Sequence, residues 1–246
     1  MPIARKVPEI AQKASTFCPG CGHGIAIRLI TECLEELNQD RNVMFGIGVG
    51  CSSLLGGVLD TDRLHCLHGR ASAVCTGMKR VSPDQMVISY QGDGDAYSIG
   101  LAETTSAAYR NEGFSVFVIN NTNYGMTGGQ MSNTTLPGQK TTTSVHGRDC
   151  ETTGTPIKFP ELVSNQFNVA YAARGAVTSP AEVNKTKKYI KEALLAQINK
   201  EGYSVVEILS PCPTNWGMTP LKAIEHIKDT VQEFFPLGEF KKREVK

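Results

Sequence analysis

Four short apolar runs, at residues 43–47, 86–89, 115–119 and 205–209, constrain the fold of this chain more than any other feature of its sequence. Each is rich in Val and Ile, is bounded by Gly, Pro, Asn or Asp, and lacks polar alternation, which suits strands buried on both faces of a parallel sheet. Stretches of helical period lie between and around them. Residues 22–37 carry Ile25, Leu29, Ile30, Cys33, Leu34 and Leu37 at three- and four-residue steps, as on one helix face. Further helices are expected at 71–80, 99–110, 160–167, 180–199 and 220–235. Alternation of this kind predicts an α/β fold, a mainly parallel sheet with right-handed crossovers and helices on both faces. A chain of 246 residues, 40% of them hydrophobic, suits one domain spanning 1–246.

Charge excludes some functions. With 25 Lys and Arg against 24 Asp and Glu, the net charge of +1 leaves no electrostatic footprint for nucleic acid or an anionic membrane. Residues 1–15 mix Arg5, Lys6, Glu9 and Lys13 among apolar residues, the pattern of neither a signal peptide nor a membrane span, so a cytoplasmic location is expected. The eight cysteines then point to reduced thiols or metal ligation in place of a disulfide framework. Residues 123–155 are dense in Thr, Gly, Gln and Ser and too long for an ordinary connection, which marks a loop with a task. The lysine-flanked tail, 240–246, is expected to fray.

Two constellations carry chemistry. Gly92-Asp93-Gly94-Asp95 follows the run at 86–89, and Asn120-Asn121 ends the next run. In a parallel sheet both lie at one edge, where ligands bind and helix N-termini can meet phosphate. Glycine lets the backbone approach a phosphate, while a carboxylate and an amide oxygen are hard ligands suited to Mg²⁺ on a diphosphate. Gly-Asp-Gly alone also serves as a plain turn after a strand, so the weight lies in the pairing. The second constellation is Cys18-Pro19-Gly20-Cys21, whose spacing is shared by zinc ribbons, thioredoxin-like motifs and iron–sulfur proteins. Cys33, Cys51, Cys66, Cys75, Cys150 and Cys212 form no second such pair, which disfavours a ribbon and leaves a dispersed four-cysteine zinc site open. Cys33 and Cys75 fall in helical segments, where a small buried hydrophobe is the common role; Cys66 and Cys150 are left structural or unassigned.

Gly-Asp-Gly followed by Asn-Asn resembles the thiamine-diphosphate enzymes. The run Tyr124-Gly125-Met126-Thr127-Gly128-Gly129-Gln130 narrows the resemblance to the thiamine-diphosphate-binding, β-type subunits of 2-oxoacid:ferredoxin oxidoreductases, notably the 2-oxoisovalerate and 2-oxoglutarate enzymes. The resemblance implies Mg²⁺ ligation by Asp93, the Asn121 side chain and the Asn123 carbonyl. It implies cofactor contacts from Gly92, Gly94, Asp95, Tyr124, Gly125, Met126 and Thr127, with Met126 open to plain packing and Asn120 open to bracing the loop. Relatives place cluster ligands in a Cys-Pro-Gly-Cys, a Gly-Cys-Ser and a Pro-Cys-Pro. Here these stand as Cys18 and Cys21, Gly50-Cys51-Ser52 and Pro211-Cys212-Pro213, implying a [4Fe–4S] cluster on Cys18, Cys21, Cys51 and Cys212, with Cys51 and Ser52 also beside the cofactor. His68-Gly69-Arg70-Ala71 matches an element near the cofactor in relatives, which gives His68 a catalytic role that a lone histidine would not have earned. His23 is expected to hydrogen-bond near the cluster or substrate, and His65, His146 and His226 receive no role.

The implied reaction is coenzyme A-dependent oxidative decarboxylation of a 2-oxoacid to an acyl-CoA and CO2, with electrons passing through the cluster to ferredoxin. By the same resemblance a pyrimidine-binding α-type subunit lends the glutamate that thiamine diphosphate needs, and γ- and ferredoxin-like δ-type subunits complete the assembly. Leu54, where some relatives carry a basic residue, favours a 2-oxoisovalerate-like substrate over 2-oxoglutarate or pyruvate. Two alternatives stand beside this reading: a non-redox thiamine-diphosphate lyase or synthase with structural zinc, and a non-catalytic subunit, against which the Asp93 and Asn121 pair argues.

Overall fold

Each apolar run forms a strand in the computed structural model, which describes residues 7–11 and 15–244. The strands are β1 (Val43–Ile47), β2 (Asp62–His65), β3 (Met86–Gly92), β4 (Ser115–Asn120), β5 (Tyr171–Ala176), β6 (Ser204–Leu209) and β7 (Gly238–Lys241). Among the described residues they make one sheet in the order β2-β1-β3-β4-β6-β5-β7, parallel except for β7, which runs antiparallel to β5. The helices are α1 (His23–Glu36), α2 (Ala71–Val81), α3 (Leu101–Tyr109), α4 (Cys150–Thr153), α5 (Phe159–Gln166), α6 (Pro180–Ile198), α7 (Pro213–Trp216) and α8 (Pro220–His226).

The central strands read as unbroken apolar runs because both faces are covered. Successive side chains of a strand point to opposite faces. Phe117 and Ile119 therefore join Ile88, Tyr90 and Ile208 under α1 and α6, where Ile30, Leu34, Ile190 and Leu194 close the layer. Val116 and Val118 join Val87 and Val205 on the other side, under Cys75 of α2, Ala107 of α3 and Val163 of α5. Helix α6 starts where its sequence says it should: the Ser179 side chain accepts from the Glu182 N–H, and Pro180 occupies the first turn.

Several expectations are corrected. The helix expected at 99–110 is preceded by a π-helical turn, Gly94–Ile99, so the Gly-Asp-Gly motif itself opens a helix. The helix expected at 220–235 breaks after His226 into a π-helical turn, Ile227–Val231, and a short helical piece, Gln232–Phe234. The tail does not fray from residue 240. Phe240 packs against the core, and Arg243 pairs with Glu192 at 2.8 Å and Glu201 at 2.7 Å. The final two residues, like most of 1–15, lie outside the described residues, and so does the greater part of the signal-peptide reading. Among the described residues no helix is long and apolar enough to cross a membrane.

Parallel registers, with Ile47 opposite Tyr90, Gly92 opposite Ile119 and Asn120 opposite Leu209, bring the carboxyl ends of β1, β3, β4 and β6 to one edge. Residues 123–155 cap that edge. As expected they lack regular structure beyond α4, and polar groups organise them. Buried Arg148 donates to the carbonyls of Ser132 (3.2 Å) and Thr135 (2.6 Å) and reaches the Thr153 carbonyl at 3.3 Å.

Candidate active site

Asp93 and Asp95 both leave the end of β3, and they do different work. Asp93 is buried; Ser132 Oγ donates to its Oδ2 at 2.7 Å, Thr134 Oγ1 donates to the same oxygen, and the Asn121 N–H reaches Oδ1 at 3.4 Å. Burial pushes the Asp93 carboxyl up to about 6 against these donors, and a cation beside it would oppose that push. Asp95 accepts from the N–H groups of Gly69 (2.8 Å) and Val49 (3.2 Å), from Gln91 Nε2 (2.6 Å) and from His68 Nδ1 (2.5 Å). Its oxygens are thus spent inside the protein, tying the loop after β1 to the His68 turn. A carboxylate only accepts, so with Asp95 ionised the donor in this pair is Nδ1 of His68.

The segment after β4 turns sharply at Thr122, a β-branched residue with φ of 59°. Three bonds hold it there: Thr122 N–H donates to Asn120 Oδ1 (3.0 Å), Thr135 Oγ1 donates to its carbonyl (2.6 Å) and Gln139 Nε2 to its hydroxyl (2.9 Å). Asn120 therefore braces the loop. The turn aims Asn121 and the Asn123 backbone at Asp93. The Asn121 amide head lies 3.1 Å from Asp93 Oδ1 and 2.7 Å from the Asn123 carbonyl oxygen. An NH₂ in that position donates to both acceptors, whereas the amide oxygen there joins them as a third donor to a cation. Neighbouring ligands of an octahedral Mg²⁺ ion at about 2.1 Å stand about 3 Å apart, so this donor set fits a hard dication. The Asn123 side-chain oxygen is buried without a hydrogen bond.

Past Asn123 the chain forms a tight loop. Tyr124 and Gln130 are bridged, Gly129 N–H donates to the Tyr124 carbonyl at 2.9 Å, and Thr127 Oγ1 donates to Gln130 at 2.6 Å, so that hydroxyl braces the loop. The Tyr124 ring lies over Gly94 and edge-on to His68. Met126 is 48% exposed at the rim and fills no gap in the core. At Gly125 a β-carbon would stand 3.1 Å from the Cys51 sulfur and 3.4 Å from Asn121 Nδ2; glycine is what lets the loop approach so closely.

The four cysteines singled out come from three places to this same edge. Gly22 N–H donates to Ser210 Oγ at 3.2 Å, which ties the Cys18–Cys21 turn to the end of β6 and hence to Cys212. Cys51 opens a 3₁₀ turn, Cys51–Gly57, in which Ser52 Oγ donates back to the Gly48 carbonyl at 3.0 Å. Burial pushes the Cys21 thiol up to about 11 and Cys51 up to about 12, and each feels the charge of Cys18 and Cys212. Burial raises Cys212 too, opposed by the backbone and side-chain N–H groups of Asn215. Cys33 and Cys75 are fully buried in the core, as expected, and Cys66 is buried while Cys150 is partly exposed. His23 is buried, stacks on Phe17 and shares a 2.8 Å hydrogen bond with the Tyr90 hydroxyl; burial lowers it to about 4, so it stays neutral.

His23, Cys51, His68, Asp93, Asn121 and Gly125 line one cleft of about 90 Å³. A larger cavity of about 450 Å³ lies at the opposite strand edge, among surface residues such as Asn111, Lys200 and Lys241; the smaller cleft is where the chemistry-bearing groups gather. Leu54 does not line it and sits half-buried in the turn after Cys51. Sequence reasoning missed Ser132, Thr134, Gln91 and Asn215. The only signal for the first two was the hydroxyl density of 123–155.

The family described as thiamine pyrophosphate enzyme, C-terminal TPP binding domain, matches residues 48–208. The ketoisovalerate oxidoreductase subunit VorA of Methanothermobacter thermautotrophicus is 43% identical over 95% of the chain, which spans 49% of that relative, about half its length. The 2-oxoglutarate synthase subunit KorB of Methanocaldococcus jannaschii is 38% identical over 82% of the chain and 70% of its own length. Among solved structures, the 2-oxoglutarate:ferredoxin oxidoreductase from Magnetococcus marinus, with 2-oxoglutarate, coenzyme A and succinyl-CoA bound, superposes with a TM-score of 0.76 at 26% identity, covering 96% of this chain and 84% of that one. The chain belongs to the thiamine-pyrophosphate-binding family, among the β-type subunits of the 2-oxoacid:ferredoxin oxidoreductases.

Proposed function

We propose that this chain, as a single domain, binds thiamine diphosphate through Mg²⁺ with a [4Fe–4S] cluster beside it. With partner subunits it would oxidatively decarboxylate a 2-oxoacid to an acyl-CoA and deliver the electrons to ferredoxin. The observation that carries this reading is the contact at Gly125, where the loop following the Asp93, Asn121 and Asn123 oxygens meets the Cys51 sulfur. A diphosphate site pressed against a cysteine site suits a reaction that moves electrons from an organic cofactor to a redox centre. A lyase would use the second site only for structural zinc.

Asp93, the Asn121 amide oxygen and the Asn123 carbonyl would hold Mg²⁺, and Cys18, Cys21, Cys51 and Cys212 the cluster. Thiamine diphosphate, when bound, supplies the carbanion chemistry for loss of CO2, and the cluster supplies one-electron acceptance. The chain's own residues prepare the site. Ser132 and Thr134 occupy Oδ2 of Asp93 and leave Oδ1 for the metal. Asp95 fixes the His68 tautomer, so Nε2 can take or hold a proton at the cleft. The rival zinc reading needs four donors each about 2.3 Å from one ion. Among the described residues no three His, Cys, Asp or Glu side chains converge in that way.

A branched-chain 2-oxoacid is the favoured substrate, supported by the VorA relative. Coenzyme A as co-substrate is supported by its presence in the Magnetococcus marinus enzyme. The remaining parts of the machinery, including the glutamate for the cofactor, fall to α-, γ- and δ-type subunits, and the assembly would work in the cytoplasm. Titration of the purified protein with thiamine diphosphate tests the core of the proposal. Saturable binding is expected with Mg²⁺ and not with the metal chelated, and Asp93→Asn should weaken it a hundredfold or more, about 3 kcal/mol. Binding that ignores both Mg²⁺ and the substitution would count against it.

A further inference from the structure

One side chain touches both halves of the site. Asn215 Nδ2 donates to the Gly125 carbonyl at 2.6 Å and lies 3.4 Å from the Cys212 sulfur. The side chain also shapes the loop from the other side. Gly129 adopts a φ of +80°, and a β-carbon there would stand 3.1 Å from Asn215 Cβ. The loop that follows the candidate metal ligands is therefore seated on Asn215. Asn215 itself is held by α7, a single turn with Pro213 at its start and Gly217 at its left-handed end.

An amide nitrogen has two hydrogens, and here each has its own acceptor, a carbonyl oxygen and a sulfur. We propose that Asn215 is a positioning residue that couples the two centres, its amide holding the Cys212 sulfur and the Gly125 carbonyl at once. The inference rests on the reading of Cys212 as a cluster ligand and of the 124–130 loop as the diphosphate cradle. Hydrogen bonds to a cluster's sulfur stabilise its more negative, reduced state and so raise its potential. Movement of the Gly125 carbonyl on diphosphate binding changes how far the amide is drawn from Cys212. By linkage, the oxidation state of the cluster changes diphosphate affinity by the same factor.

The test uses the enzyme purified anaerobically with its partner subunits, as wild type, Asn215→Ala and Asn215→Asp. Aspartate keeps the shape against Gly129 but has no N–H, while alanine adds no charge. The signal of this chain's cluster is identified by its loss in Cys212→Ser. Redox titration followed by electron paramagnetic resonance reads the potential, and calorimetry with thiamine diphosphate and Mg²⁺ reads the affinity. Both Asn215 variants should move this cluster to a more negative potential and weaken binding by between about two- and tenfold, the loss of one hydrogen bond. Added thiamine diphosphate should shift the wild-type cluster's potential, and the shift should vanish in the variants.

Unchanged potential in the variants overturns the proposal. So does a wild-type potential that ignores thiamine diphosphate, a result that needs no variant to fold. Wild-type protein lacking the Cys212-dependent cluster overturns the underlying reading instead, before any Asn215 variant is compared.

Discussion

Gly125 is the residue on which both halves of the site press. Alanine there would set a β-carbon 3.1 Å from the Cys51 sulfur, so the loop must retreat by a few tenths of an ångström. Gly125→Ala should weaken thiamine diphosphate binding about tenfold while changing folding stability by less than about 1 kcal/mol, as calorimetry and urea denaturation would measure. At this scale the sequence was legible wherever chemistry is written locally. Asp93, Asn121 and Cys51 sit in short motifs whose residue types announce a metal or a redox centre, and the fold gathers them in one cleft. Ser132, Thr134 and Asn215 were illegible because each reaches the site across the fold, from a residue type that is ordinary on any loop. Asp95 shows the reverse limit: its place in the motif suggests cofactor contact, and only the structure reveals that its oxygens position His68, Gly69 and Gln91.

Among elements, the 123–155 segment is organised largely by polar bonds. Arg148 is its keystone, with its guanidinium donating to carbonyls of Ser132, Thr135 and Thr153. Arg148→Met should cost about 2–4 kcal/mol through carbonyls left buried without a donor. Hydrogen exchange should accelerate across 132–148 while the amides of β3 and β4 keep their protection; uniform acceleration would mean that the loop is not a separate cooperative unit. The strands legible in sequence were the covered ones rich in Val and Ile. β2 was missed because it is an exposed edge of charged and mixed residues. β5, Tyr-Ala-Ala-Arg-Gly-Ala, was missed because small residues and a buried arginine carry no strand signal. β7 formed from a segment whose charge reads as a tail, because Phe240 had core to reach and Arg243 had carboxylates to meet.

The whole molecule depends on a second polar node, behind the site. Fully buried Arg174 on β5 bonds Glu207 on β6 at 2.5 Å, grips Glu161 of α5 through both terminal nitrogens at 2.6 and 2.7 Å, and packs its guanidinium against the Phe235 and Phe240 rings. Glu207 in turn accepts from Asn120, the brace of the metal loop, at 3.3 Å. Arg174→Ala strands a buried carboxylate and should cost about 3–5 kcal/mol of folding stability, of which the paired Arg174→Met, Glu207→Gln change should recover a large part. Denaturant unfolding of the single and paired variants checks this. At this scale the parallel architecture and the edge that holds the site followed from the apolar runs and their alternation with helices, whereas the node did not, since nothing local tells a buried arginine from a surface one. The central claim is that a redox cluster and a diphosphate cofactor meet at this edge. Its most direct test is iron and acid-labile sulfide per chain in anaerobically purified protein, with spectra before and after dithionite, wild type against Cys212→Ser. About four irons per chain, lost or altered in the variant, is the predicted result; zinc without iron would contradict the account.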